Sequence, residues 1–332
     1  MEGVMMRGSK AMAVAVRHPA GHILVHREPL GRFMYDGWIS RTPFLRGLVL
    51  LWDSLGLGMR SLLFSSNVAL ESEPSPGSAP APFQEQPVEV DGPFKGPLAW
   101  GTLAISLGLS LGLFFLLPAA AANLIERLLR IESAVASNLL EGLIRLLLLI
   151  GYIAAVGLIP EIARVFAHHG AEHKTIMAYE AGAELVPQEV DRFPMYHPRC
   201  GTGFLLTVVV ISVLLFSLFG RPPLPVRLAS RLLLLPMVAG IAYEFIRFTA
   251  RHQRWRLVRL MTLPNLWLQR LTTRQPDQSM LELAITALRH VLDAEDGREI
   301  RSSTWAVTWS SEPSAAPNAA ANSMSLDGSA AG

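Results

Sequence analysis

The stretch AHHGAEHKTIMAYE, Ala167 to Glu180, sets three histidines, two glutamates and a lysine within fourteen residues of an otherwise apolar chain. Imidazole and carboxylate are the side chains that hold borderline metal ions and move protons near neutral pH. His169 and His173 are four apart, so on a helix they stand one turn from each other and can share a cation through their ring nitrogens. Glu172 follows His169 by three and reaches the same centre, as ligand or as general base. Written out, HGAEH fits H-x-x-E-H, the reversed form of the zinc-protease helix motif. Five residues coincide by chance in many proteins, and a buried histidine is often only hydrogen-bonded, so the motif needs further ligands.

Those ligands are on offer in MYHPRCGTGF, where His197 and Cys200 are three apart and both suit a soft or borderline metal. If this segment folds back, His169, His173 and one of His197, Cys200 or Glu180 supply three ligands and leave a position for water. The competing reading of HPRCG is a Pro/Gly turn that introduces the next helix, with Cys200 merely packed. Lys174 and Arg199 are the cations placed to stabilise an anionic transition state. The chemistry this implies is hydrolysis of an amide, ester or phosphate, with Glu172 as general base and zinc as the metal.

What must position these residues is a helix restarting at Pro160. Ile162, Phe166, His169, His173, Ile176 and Glu180 recur at steps of three or four, so the polar residues extend an apolar stripe that faces the interior. The surrounding chain is built for lipid. Hydrophobic residues make up 51% and charged residues only 17%, with mean hydropathy +0.34, which exceeds what a soluble domain normally carries. Four stretches approach the roughly 20 apolar residues that a spanning helix needs: 98–117, 141–160, 204–219 and 228–248, the last with Pro236 inside it. Glu141 and Arg145 fall near one end of the second. Glu244 and Arg247, one turn apart in the fourth, read as an ion pair. Charges gathered at span ends argue against a transport path, which would place them at the midplane.

Arg247, Arg251, Arg254, Arg256 and Arg259 form the densest basic cluster and follow the last span, which predicts a cytoplasmic carboxyl end. Four spans then put the amino terminus and the 161–203 segment on that same side. The single cysteine excludes an internal disulfide and fits a reducing compartment. A formal net charge of +2, with no basic run interleaved with aromatics, gives no reason to expect a nucleic-acid partner. The opening residues lack a signal-peptide core and read as mature protein.

The whole is therefore expected to be mainly α, a polytopic membrane protein with about four spanning helices. Residues 1–70 supply a small β-hairpin, AMAVAVR and HILVHRE, and then an amphipathic helix with Arg46, Asp53 and Arg60 seven apart on one polar stripe. Residues 71–97 read as a Pro/Ser/Glu-rich linker and 303–332 as a disordered tail. The span-bearing unit, 98–302, ends in a cytoplasmic helix over 279–295 with one packed face.

Taken together, MEGVMMRG, the AVAVR hairpin, HGAEHKTI with AYE, HPRCGTGF and LWLQRLTTRQPDQSMLELAI resemble the YqhQ-like family of bacterial membrane proteins. The family is described as predicted metal-dependent enzymes and is otherwise uncharacterised. The resemblance implies a multi-pass protein of the bacterial cytoplasmic membrane, and it marks His169, Glu172, His173, Lys174, Glu180, His197, Arg199 and Cys200 as the matching residues. Two departures stand out: the family has a glycine-rich lead-in before MEGVMMRG, and often CYE where this chain has Ala178. The partners implied are the lipid bilayer and a membrane-embedded substrate or a protein partner. The alternative is a non-catalytic membrane scaffold or assembly protein with a structural metal or none.

Overall fold

The computed structural model describes residues 3–18, 21–30, 42–71, 97–198, 200–218, 220, 222–296 and 303–307. Strands β1 (Gly3–Arg7), β2 (Ala11–Arg17) and β3 (Ile23–Pro29) pair antiparallel, Gly3 opposite Val16 and Ala11 opposite Pro29. The hairpin expected from AMAVAVR and HILVHRE is thus the centre of a larger sheet. A fourth strand, β4 (Ser303–Val307), pairs with β3. It comes from the segment read as a disordered tail, where STWAV alternates β-prone and small residues before the Ser/Ala-rich run begins.

Strand β2 alternates small and large side chains, and that alternation sorts the layers. Ala13 and Ala15 point to one face with Val4, Met6, Ile23 and Val25, while Met12, Val14 and Val16 point to the other with Leu24. The small face lets a helix approach closely. That helix is α10 (Gln278–Glu295), opened by the Asp277 carboxylate, which accepts from Met280 N at 2.9 Å. The expected boundary holds, but α10 is packed on two sides. One side meets the sheet and the other meets the alanine stripe Ala167, Ala171 and Ala178 of α5 (Pro160–Glu180).

The second sheet face is covered by α1 (Leu45–Glu71), through Leu57, Phe64 and Val68. Helix α1 is long and apolar enough to cross a membrane, yet its polar stripe is spent on the sheet. Arg7 reaches Ser54 at 2.9 Å and Asp53 at 3.8 Å, and Arg60 reaches Glu28 at 2.5 Å. At the other end Arg46 pairs with Glu244 at 2.7 Å, so Glu244 is taken by a residue 198 positions away and not by its neighbour Arg247.

The bundle consists of α2 (Pro97–Leu111), which passes through a π-helical turn, Gly112–Leu116, into α3 (Leu117–Leu129), then α4 (Ala134–Val156), α7 (Thr202–Ser217) and α8 (Leu224–Arg251). Between α5 and α7 lies the one-turn α6 (Pro187–Val190), and α9 (Arg256–Thr272) follows α8. Among the described residues, four helices are long and apolar enough to span: Leu45–Val68, Ala104–Leu129, Ala134–Val156 and Pro225–Arg251. The stretch 204–219 forms the sixteen-residue apolar α7, about 24 Å long at 1.5 Å per residue and shorter than these four. Helix α4 starts seven residues before the expected span because the Ser133 hydroxyl accepts from Ala136 N and caps it there. Leu149, Ile153, Leu206 and Leu268 then join α4, α7 and α9, with Phe166 of α5 packed against them. This cluster joins the bundle to the peripheral layers.

Opposite its sheet-facing stripe, α1 exposes Leu45, Trp52, Leu55 and Leu62 at steps of seven, three and seven. A helix with one side on a sheet and an apolar face on the other is what the expected amphipathic helix, lying at the membrane surface, would show. Nitroxide labels at positions 52 and 62, in a Cys200→Ser background, are expected to report equal depth in nanodiscs by power-saturation EPR. A crossing α1 would set the two labels about 15 Å apart in depth.

Candidate functional site

Helix α5 has two faces set by spacing. Its alanines meet α10, and on the other side His169 and His173 project toward the 195–200 loop and the end of α9. The imidazoles are held in one orientation by main-chain carbonyls from two segments. His169 Nδ1 lies 2.9 Å from Thr272 O, and His173 Nδ1 lies 2.5 Å from Met195 O. A ring nitrogen facing a carbonyl must carry its proton, so each Nδ1–H donates, and in the neutral ring Nε2 is the nitrogen that keeps its lone pair. This is the arrangement that ligating histidines use. The two rings stand 4.4 Å apart between centroids.

Cys200 completes the group. Its thiol sulfur is 3.2 Å from His169 Nε2 and 3.1 Å from the Thr202 hydroxyl, and Thr202 N points at it from 3.5 Å. Cys200 is buried and directly precedes the first turn of α7. One ligand atom each from His169, His173 and Cys200 lie within 4.8 Å of one another. Ligands at 2.0–2.3 Å around a tetrahedral zinc stand roughly 3.4 Å apart, so a small contraction closes the group on an ion. Two freed Nε2 atoms and a buried sulfur are a donor set that fits zinc.

The remaining candidates fall into distinct places. Glu172 is half-exposed by surface area yet closely surrounded by protein; burial pushes its carboxyl up, opposed by the nearby His169. Among the described residues its carboxylate is not part of the ligand group formed by the other three. His197 is buried beside the centre, its ring 6.0 Å from that of His173, and its Nε2 lies 3.6 Å from Glu180 Oε1. Glu180 therefore reaches His197 rather than the three ligand atoms. Lys174 is not brought to the centre: its buried ammonium donates to the Asp191 carboxylate at 2.9 Å and to the Asp191 carbonyl. Arg199 lies outside the described residues.

Two residues of the site escape sequence reasoning. Gln269 of α9, 1% exposed, brackets the backbone of His197: its carbonyl accepts from His197 N and its amide donates to His197 O, both at 2.9 Å. Thr272 contributes only a carbonyl, which no side-chain motif can reveal. Gly170, inside HHGAEH, gives the one sequence hint, because a Cβ there would lie 2.3 Å from Arg274 O. The glycine is what allows the 272–274 segment to approach α5 closely enough for Thr272 O to meet His169.

Comparison with known proteins follows the same outline. A family model described as "Protein of unknown function (DUF1385)" matches residues 42–294. The chain is 30% identical over 296 residues to "Uncharacterized protein YqhQ" of Bacillus subtilis (strain 168), covering 89% of this chain and 91% of that protein. No solved structure matches. Neither description names an activity, so the chemistry rests on the side chains.

Gly170→Ala is expected to lower the thermal midpoint in detergent, with an overpacking cost of about 1–3 kcal/mol, because the neighbour it strikes is backbone. An unchanged midpoint would mean that the 272–274 segment can retreat. Beside the site, His168 is buried, and burial holds it down to about 4. Its folded form is neutral, so stability is intact above the unfolded value of 6.5 and falls as pH drops from there to about 4. The full loss is about 3 kcal/mol. His168→Phe should flatten the midpoint over that window; a profile parallel to the parent would locate the pH sensitivity elsewhere.

Proposed function

We propose that this chain, which belongs to the DUF1385 family of proteins of unknown function, is a metal-dependent hydrolase working at the inner surface of the bacterial cytoplasmic membrane. The observation that carries the reading is the grouping of one ligand atom each from His169, His173 and Cys200 within 4.8 Å of one another, with each imidazole held through Nδ1. A divalent cation held there, zinc by the donor set, would supply Lewis-acid activation of water and of the scissile carbonyl or phosphoryl group. His169, His173 and Cys200 would hold it. Glu172, one turn along the same helix and lifted by burial, takes the proton from the attacking water and returns it to the leaving group. Gln269 and Glu180 fix His197, whose ring borders the centre and orients substrate.

Support for a membrane-surface location comes from α9, which contributes Gln269 and Thr272 and exposes Leu257, Leu260, Leu263 and Trp267. Arg256, Arg259 and Arg270 on the same helix suit an anionic leaflet. A substrate carried in or on the bilayer would reach the centre along this helix.

The non-catalytic reading with a structural metal requires a closed site with a fourth protein ligand, and His197 is the residue nearest to supply it. Its Nε2 being turned to Glu180 favours the open site. The purified parent is expected to contain about one equivalent of metal by elemental analysis, His173→Ala to lose it and Glu172→Gln to retain it. Absence of stoichiometric metal from the folded parent removes the proposal. Cobalt substitution separates the alternatives, since an open site changes its visible spectrum with added anions and a closed one does not.

A further inference from the structure

The expectation that charges gather at span ends fails at one place. Arg145 is the twelfth of the 23 residues of α4, about 16 Å from the helix start, and it is buried. It belongs to a cluster. Glu141 Oε1 accepts from Arg145 Nη2 at 2.7 Å and from Arg231 Nε at 2.8 Å; Oε2 accepts from Arg231 Nη2 at 3.0 Å and faces Arg227 Nη2 at 2.5 Å. Arg145 also donates through Nε to Phe114 O at 3.0 Å, a carbonyl of the π-helical turn, where the widened ladder accommodates the insertion. Arg231 lies over the Phe216 ring, 4.6 Å from its centroid, and donates to Asn138 Oδ1 at 3.2 Å. Glu126, also buried, accepts from Ser137, whose hydroxyl in turn meets Arg227 Nη2 at 3.4 Å.

Three buried guanidiniums against two buried carboxylates leave 3 − 2 = +1 among these five groups. Arginine does not discharge itself by losing a proton, so the excess persists. Glu141 cannot absorb more of it, since its two oxygens already serve four donors. Meanwhile Arg145 Nη1 and Arg227 Nε and Nη1 find no hydrogen-bond partner among the described residues. A network serving only to register three helices would be expected to neutralise itself at this depth, where net charge is costly. Here the excess charge and the donors without a partner among the described residues belong to guanidiniums that share one carboxylate.

We propose that this cluster binds one anionic group of the phosphate class, reached from the end of the bundle where α4 and α8 begin. Arg145 and Arg227 supply the free donors, in the planar fork geometry that suits phosphate oxygens. Asn138 holds the Arg231 guanidinium in register, and Glu141 is the internal carboxylate that already takes part of the donors an incoming anion would use. The group is either the headgroup of an anionic phospholipid or a free phosphate. This site is separate from the His/His/Cys centre, and its fate does not depend on the hydrolase reading.

The test uses the full chain, delipidated in a neutral maltoside detergent, with phosphatidylglycerol, phosphatidylcholine and inorganic phosphate titrated separately. Thermal midpoint and native mass spectrometry are the readouts. One saturable equivalent of phosphatidylglycerol or of phosphate, with no matching response to phosphatidylcholine, is the expected result, and the responding arm identifies the source. Arg227→Gln should weaken that binding at least about tenfold by removing a charged donor. Arg227→Lys, which keeps charge without the fork, should fall between. Glu141→Gln adds to the positive excess and should bind as tightly as the parent or more so. A parent that elutes monodisperse with a helical spectrum yet responds to neither anion overturns the proposal. So does phosphatidylcholine binding equally well, or Glu141→Gln losing affinity as Arg227→Gln does, because each marks a merely structural network.

Discussion

Two hydrogen bonds from imidazole Nδ1 atoms to main-chain carbonyls hold the candidate centre in place, and they make it a tertiary object. Thr272 O belongs to the end of α9 and Met195 O to the loop before α7, so neither histidine is oriented until both segments have docked on α5. The docking is itself conditional. Arg274 N donates to Phe166 O at 2.9 Å, and Gly170 leaves room for the 272–274 backbone. Phe166 packs into the cluster of Leu149, Ile153, Leu206 and Leu268 that ties α4, α7 and α9 together. The centre therefore forms only where bundle and peripheral layers meet.

The same logic of long-range partners governs the rest of the molecule. Glu295 at the end of α10 accepts from Ser9 N and Lys10 N, fixing the β1–β2 turn to a helix 285 residues later. Glu244 accepts from Arg46 and so clamps the start of α1 to α8. Removing one partner of such a pair leaves a half-buried charge unmatched, which costs more than the pair contributes. In the bundle, Glu141 draws arginines from two helices onto one carboxylate and sets the register of α4 against α8.

Much of this was legible from periodicity. The helix from Pro160, the His169/His173/Glu172 spacing, the α10 boundary and the apolar segments of the bundle all follow from local pattern, because a helix converts spacing directly into facing. Cys200 was legible as a candidate but not as a choice over His197: only the fold turns His197 toward Glu180 and brings Cys200 to His169. Lys174 looked like part of the centre because it is adjacent in sequence, yet at one residue past His173 it points round the helix to Asp191. Gln269 and the Thr272 carbonyl carry no motif. Arg227 and Arg231 carry no motif either, since their link to Glu141, about 90 residues away, exists only in three dimensions. Strand β4 was hidden by the composition of the residues that follow it.

The layers also constrain how a substrate could arrive. Helix α1 exposes Trp52, Leu55 and Leu62 on one side of the bundle end, and α9 exposes Leu257, Leu260 and Trp267. Apolar faces of this extent on a water-exposed surface would be a liability for association, so both suit lipid contact. The basic residues that accompany α9 lie at its ends and flanks, where lipid headgroups would be. If both helices rest at the interface, the His169/His173/Cys200 group lies between the α9 terminus and α5, close to headgroup level rather than deep in either phase. A reactive group on a lipid-borne molecule would meet it without leaving the membrane, whereas a freely soluble substrate would gain nothing from the apolar collar. On the proposed reading, the chemistry would take place at the boundary between bilayer and water.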